Sequence, residues 1–188
     1  MSVARSELIL GGQKSGKSRR AEALAQAWLM QSPVHSACLL ATGRAWDDEM
    51  RARIERHQRD RAERVPGMRT LEVPLDLASA VRMHSQPDCL LVIDCLTMWL
   101  TNWMMPMPGQ PPQAQDWAAQ RADFLAALAR APGPVVLVGN EIGLGVIPLG
   151  REVRAFVDAL GLLNQQVAAV CSHVTLVCAG LPLVLKSD

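Results

Sequence analysis

The sequence predicts an α/β fold, a mostly parallel sheet with helices on both faces and an antiparallel strand at its C-terminal edge. Three observations carry this. Short apolar runs recur at 8–10, 38–41, 89–94, 134–138 and 174–177. Segments with helical spacing of apolar residues separate most of them, the pattern of parallel strands buried on both faces. And the first run feeds directly into a glycine-rich loop followed by a helix.

That loop is Gly11-Gly12-Gln13-Lys14-Ser15-Gly16-Lys17-Ser18. Its glycines let the backbone curl so that several N–H groups face one phosphate, and the following helix adds its positive N-terminal end. Lys17 suits the β/γ-phosphates and the Ser18 hydroxyl suits Mg²⁺. The bland alternative, a glycine turn before a helix, leaves unexplained why all the defining residues and both flanks coincide. The helix is expected over 19–30, with Ala21, Leu24, Ala25 and Trp28 on its inner face.

The second strand ends in Ala41-Thr42-Gly43, at the sheet edge where ligands of such folds sit. Residues 47–64 are dense in charge: Asp47 and Asp48 open a helix, and Glu49/Arg53 and Glu55/Arg59 are spaced as i,i+4 pairs. A solvated helix explains most of these charges. His57 shares a face with Met50 and Ile54, which directs it toward whatever the helix packs on; a catalytic or a structural histidine both fit that spacing. His35, His84 and His173 read as exposed or boundary residues.

Asp94 closes the apolar 89–94 run. An acid there either caps a strand end or holds Mg²⁺ opposite the loop serine, and the upstream loop favours the metal. The segment 139–145 follows the fourth strand, so Asn140 and Glu141 either contact ligand or belong to a plain loop. The proline-rich stretch 104–112 reads as a surface loop. A helix over 113–130 follows, with Trp117, Phe124 and Leu128 on one side. Trp99, Trp103, Met104 and Met105 either pack in the core or form an apolar landing surface. The strand at 183–185 follows a Gly180-Leu181-Pro182 turn and closes the chain.

With 188 residues, 49% hydrophobic and 20% charged, the chain is expected to form a single domain, 1–188. A net charge of +1 gives no electrostatic ground for nucleic acid or an anionic membrane. No apolar run reaches the roughly 20 residues of a membrane span, and a core strand starting near Glu7 leaves no room for a signal peptide. The five cysteines form no C-x-x-C pair and read as small buried hydrophobes of the cytoplasm.

Taken together the residues resemble the bifunctional adenosylcobinamide kinase / adenosylcobinamide-phosphate guanylyltransferase family of cobalamin biosynthesis, over nearly the whole chain. The resemblance rests on the loop and Arg19, Ala41-Thr42, and Asp48-x-Met50-x-x-Arg53-Ile54-x-x-His57. It continues through Asp94-Cys95-Leu96-Thr97, Leu100-Thr101-Asn102, and Asn140-Glu141-x-Gly143-x-Gly145-x-x-Pro148. It ends with Arg154-x-Phe156-x-Asp158-x-x-Gly161-x-Leu163-Asn164-Gln165 and Ala179-Gly180-Leu181-Pro182. The resemblance implies a RecA-like P-loop sheet, a homotrimer, and two reactions. A nucleoside triphosphate, ATP or GTP, phosphorylates the aminopropanol hydroxyl of adenosylcobinamide; GTP then donates GMP to the new phosphate through a guanylylated histidine, here His57. It further implies GTP contacts from Gly11 to Ser18, from Ala41, Thr42 and Gly43, from Gln58, Arg59, Asp60 and Arg61, and from Glu72 and Asp94. The chain departs from the family pattern in a longer stretch over 61–72, in Met68 where Trp is usual, and in Leu162 where Arg is common.

Three rival readings remain. A P-loop kinase of another small metabolite would leave His57 structural. A RecA-like nucleic-acid ATPase would need a basic stripe that the balanced charge does not supply. A nucleotide-gated module without turnover would not need Lys17, Ser18 and Asp94 together.

Overall fold

The computed structural model describes residues 3–45, 47–105 and 117–187. One seven-stranded sheet runs in the order β3-β2-β4-β5-β1-β6-β7. Its strands are β1 (Ser6–Gly11), β2 (Ser36–Ala41), β3 (Arg69–Glu72), β4 (Cys89–Asp94), β5 (Val135–Asn140), β6 (His173–Cys178) and β7 (Leu181–Ser187). All neighbouring pairs are parallel except β6–β7, which is antiparallel, as the sequence predicts. The helices are α1 (Lys17–Leu29), α2 (Asp48–Arg64), α3 (Leu77–His84), α4 (Leu96–Met104), α5 (Trp117–Ala129) and α6 (Arg151–Val170).

Strand alternation sorts the core into two layers. Leu8, Leu10, Leu91, Ile93 and Leu137 face α3, α4, α5 and α6, where they meet Leu77, Trp99, Phe124, Leu128, Leu160 and Leu163. Ile9, Leu39, Val92, Val136 and Val138 face the other way, onto Ala21, Leu24 and Ala25 of α1. Leu24 is 1% exposed, so trimming it to alanine removes packing worth about 2–4 kcal/mol from the helix that follows the phosphate loop.

The order of strands positions the site. β5 lies between β1 and β4, so the C-terminal ends of β1, β5 and β4 open side by side. This is the RecA-like P-loop arrangement that the sequence resemblance implies.

Several boundaries differ from expectation. β3 and α3 carry no strong sequence signal: β3 is a four-residue edge strand exposed at three positions. β7 begins at Leu181, so the reversal before it is carried by Ala179 and Gly180, both at positive φ. α5 starts at Trp117; the expected helix residues 113–116 and the proline-rich 106–112 lie outside the described residues. Trp99 is fully buried against Phe124 and Trp117, with ring centroids 4.9 Å apart in both pairs, which settles its role as core; Met104 and Met105 are exposed. His35 takes the boundary alternative: half-buried, it stacks on Trp28 with centroids 3.7 Å apart, and its Nδ1 lies 2.8 Å from the Trp28 carbonyl oxygen.

Candidate active site

The phosphate loop forms from the turn chemistry its sequence demands. Gly11 (φ 153°), Lys14 (φ 54°) and Gly16 (φ 107°) all take positive φ, and Gly16 caps α1. A side chain at Gly11 would also run into the Val177 carbonyl and the Ser15 hydroxyl. The loop is clamped on both flanks. The Glu141 N–H donates to the Gly11 carbonyl at 3.0 Å, and the Gly180 N–H donates to the Ser15 carbonyl at 2.9 Å. Lys17 is 8% exposed and its ammonium donates to the Gly12 carbonyl at 2.6 Å. Gly12, Gln13 and Lys14 are exposed, while Ser15, Gly16 and Ser18 are half-buried at the helix start.

Asp94 ends β4 half-buried, in register with Ala41 on β2 and Val138 on β5. The thiol of Cys95 ties it to the loop electrostatically. Burial and, after it, the Asp94 carboxylate push that thiol up to about 12, while Lys17 acts to lower it. Lys17 and Asp94 therefore share one electrostatic neighbourhood. Ser18 and Asp94 offer hard oxygen donors suited to Mg²⁺, which keeps several waters and binds phosphates besides. Among the described residues no three His, Cys, Asp or Glu side chains cluster so that they could hold a metal ion.

The 41–43 segment divides. Thr42 is 0% exposed. Its hydroxyl donates to the Cys95 carbonyl at 2.7 Å and accepts from the Cys95 N–H at 2.8 Å. Its own N–H reaches the Asp94 carbonyl, and its carbonyl accepts from Asn102 Nδ2. These bonds make Thr42 a brace between β2 and β4, leaving Ala41 and Gly43 as the half-exposed part of the segment. Glu72 ends β3 in register with Ala41 and is exposed.

Helix α2 brings the histidine. Asp47 caps it, its side chain accepting from the Met50 N–H at 2.7 Å. Met50 and Ile54 are half-buried, with Ile54 near Gly43, but His57 is exposed. The expectation that His57 points into packing is therefore corrected: α2 meets α1, and among the described side chains its firm anchors fall after His57. Arg64 donates to Glu22 of α1 at 2.8 Å, and Val65 is buried in the α1-side core with Met68 packed beside it. Met68, where the sequence resemblance expects Trp, thus packs partly buried against that core. Arg61, one turn after His57, is desolvated by burial, which lowers its pKa, while Asp94 and then Glu22 act to raise it. Gln58 and Arg59 are exposed, and Asp60 lies 3.4 Å from Arg64. Glu55 and Arg59 form no ion pair within 4.0 Å; Arg51 pairs instead with Asp48 at 2.6 Å, and the Glu49/Arg53 pair rests on a side chain outside the described residues.

Sequence reasoning missed the polar belt beneath the site. Asn102 Nδ2 donates to the Thr42 and Pro74 carbonyls, Thr97 Oγ1 accepts from the Asn140 N–H, and Asn164 Nδ2 donates to the Asn140 carbonyl. Asn102 and Asn164 are 0% and 5% exposed. A polar amide inside an otherwise apolar helix was the available signal.

A family model described as cobinamide kinase / cobinamide phosphate guanyltransferase matches residues 7–185. The chain belongs to this family. It is 44% identical over 183 residues to the bifunctional adenosylcobalamin biosynthesis protein CobP of Pseudomonas aeruginosa, spanning 97% of this chain and 98% of that protein. It is 35% identical over 187 residues to CobU of Escherichia coli, of the same description, spanning 95% and 98%. Members are bifunctional enzymes, a kinase joined to a guanylyltransferase. The flagellar accessory protein FlaH of Methanocaldococcus jannaschii matches all of this chain and 80% of its own with a TM-score of 0.53. At 12% identity that likeness speaks for the fold alone.

Proposed function

We propose that this chain phosphorylates the aminopropanol hydroxyl of adenosylcobinamide with a nucleoside triphosphate, then joins GMP from GTP to that phosphate, both steps within one domain. One observation carries the reading above the family match. Lys17 opens α1 just after the phosphate loop and Asp94 ends β4 at the same sheet edge, the Asp94 charge acts on Arg61 of α2, and His57 stands one helical turn from Arg61.

In the first step the loop backbone and Lys17 hold the β/γ-phosphates while the acceptor oxygen displaces the nucleoside diphosphate. In the second, an imidazole nitrogen of His57 attacks the α-phosphorus of GTP and pyrophosphate leaves. The corrinoid phosphate oxygen then attacks the resulting phosphoramidate and the imidazole departs, dividing one displacement into two. Lys17 and Arg61 stabilise charge on the departing pyrophosphate. Mg²⁺ held by Ser18 and Asp94 would neutralise phosphate charge. The exposure of His57 suits this role, because the group must take GMP from a bound nucleotide and present it to a bulky acceptor.

Ala41, Gly43, Gln58, Arg59, Asp60 and Glu72 complete the proposed nucleotide contacts, with Thr42 acting through its brace. The homotrimer belongs to the same proposal. Leu144, Val146 and Leu149 are 84%, 97% and 97% exposed, and Leu181 and Leu183 on β7 are exposed as well, apolar surface that copies of the chain can bury. No helix among the described residues is long and apolar enough to cross a membrane; a cytoplasmic setting belongs to the same proposal. Product analysis by mass spectrometry, with adenosylcobinamide and ATP or GTP, tests the reading. It predicts adenosylcobinamide phosphate with a competent triphosphate and adenosylcobinamide-GDP whenever GTP is present. Phosphorylation of neither would overturn it.

A further inference from the structure

We propose that Glu141 is the general base of the kinase step, taking the proton from the acceptor hydroxyl. The proposal rests on the cobinamide kinase reading above.

The sheet order singles this residue out. Strands lie about 4.8 Å apart, so the end of β3, with Glu72, is about 19 Å from β1, and the end of β4, with Asp94, about 10 Å. Glu141 directly follows β5, one strand from the loop, and β5's last residue Asn140 is in register with Gly11. The Glu141 N–H bonds to the Gly11 carbonyl and the Lys17 ammonium bonds to the next carbonyl, that of Gly12. The backbone of Glu141 is therefore bonded to the loop that carries the lysine expected at the γ-phosphate, one carbonyl away from the one Lys17 holds.

Other carboxylates near the loop are engaged. Glu7 is bound by Arg20 and Thr175, Glu22 by Arg64, and Asp94 is assigned to the cation. In Glu141, Oε1 accepts from the Gly143 N–H at 2.6 Å, which fixes the carboxylate's direction, while no described group bonds to Oε2. The backbone beneath is held by Thr97 and Asn164 at Asn140 and by Gly11 at Glu141, so the side chain projects from a rigid base.

The acceptor has an approach. Gly143 also lines a groove of about 210 Å³ with Val146, Pro148, Arg154, Val157 and Asp158; among the described residues it is Glu141, not Asp158 on α6, that is bonded to the phosphate loop. That volume falls below the roughly 300 Å³ of an ordinary ligand pocket. It can admit the short arm that bears the hydroxyl but not a corrin ring, which must remain outside. As the alcohol oxygen bonds to the γ-phosphorus, its proton passes to Glu141 Oε2. The bond from phosphorus to the β,γ-bridging oxygen breaks, and the nucleoside diphosphate leaves with that electron pair.

Glu141→Gln keeps an oxygen for the Gly143 N–H but removes the basicity. With the full-length enzyme and adenosylcobinamide, kcat for phosphorylation is expected to fall about 10²–10³-fold at neutral pH, with the acidic limb of its pH profile lost. KM for adenosylcobinamide should move less than about threefold, as should GMP transfer to supplied adenosylcobinamide phosphate. Glu141→Asp should recover part of the kcat and the acidic limb. Retained kcat in Glu141→Gln, a loss confined to KM, or equal loss in both steps with no recovery in Glu141→Asp would each overturn the proposal. If the unaltered enzyme phosphorylates no cobinamide, the functional reading fails and this inference with it; an active parent with an equally active Glu141→Gln overturns the inference alone.

Discussion

The carboxylate of Glu22, on the helix that follows the phosphate loop, accepts the guanidinium of Arg64, on the helix that carries His57, at 2.8 Å. Glu22 is 7% exposed at its side chain and Arg64 47%, so the pair is buried on the α1 side and wet on the other. It fixes the C-terminal end of α2 to α1, two turns beyond His57. Arg64→Ala leaves the Glu22 charge buried without that partner, and half-exposure of the pair limits the cost to about 1–2 kcal/mol of stability by urea unfolding. Its sharper effect should be on GMP loading of His57, which depends on where α2 sits, and less on the kinase step. An unchanged loading rate would contradict this role.

A more deeply buried pair holds α1 to the sheet. Arg20 donates to Glu7 at 2.8 Å and Thr175 donates to the same oxygen at 2.8 Å, with Glu7 only 5% exposed at its side chain. Arg20→Ala removes the cation from an enclosed carboxylate and should cost about 3 kcal/mol in chemical denaturation. A loss under about 1 kcal/mol would show that the carboxylate finds other compensation.

The thiols should separate by alkylation. Burial pushes Cys95 and Cys171 up to about 12, and Cys178 is exposed. At pH 8 iodoacetamide should label Cys178 while leaving Cys95 and Cys171 intact, as read by peptide mass mapping. The raised folded values also fix a sign. The contribution of these thiols is full below the ordinary value of 9.0 and is lost as pH climbs from there toward about 12, because the unfolded thiols ionise first. Stability should fall over that window, and less steeply in Cys95→Ser.

Gly11 couples conformation to space. At φ 153° any side chain is strained, and a Cβ there meets the Val177 carbonyl. Gly11→Ala should cost about 2–3 kcal/mol and weaken triphosphate binding, measured by thermal melting with and without GTP. Binding equal to that of the parent would mean that the loop tolerates a different path.

Much of this was legible in sequence because local rules and tertiary demands agree. The run before Gly11 is apolar on both faces because β1 is covered on both, and Asp47 caps α2 as its chemistry suggests. What escaped detection depends on distant partners. β3 is short and exposed, so it lacks the apolar signal of its neighbours, and its strand character comes from pairing with β2. His57 shares a face with Met50 and Ile54, yet helical spacing cannot say how far a neighbouring element extends along that face. Thr42 looked like a ligand contact and proves to be a brace, because Cys95, 53 residues away, takes its hydroxyl. For Asn140 and Glu141 the sequence leaves ligand contact and plain loop both open, and only strand order sets them between the phosphate loop and Asp94.

The central claim is that His57 carries GMP. Incubating the protein with α-³²P-GTP and Mg²⁺, then resolving it under denaturing conditions, tests this most directly. An acid-labile, base-stable label is expected, vanishing in His57→Ala while much of the kinase activity survives. A label that persists in His57→Ala, or no label in a protein that still makes adenosylcobinamide-GDP, would contradict it.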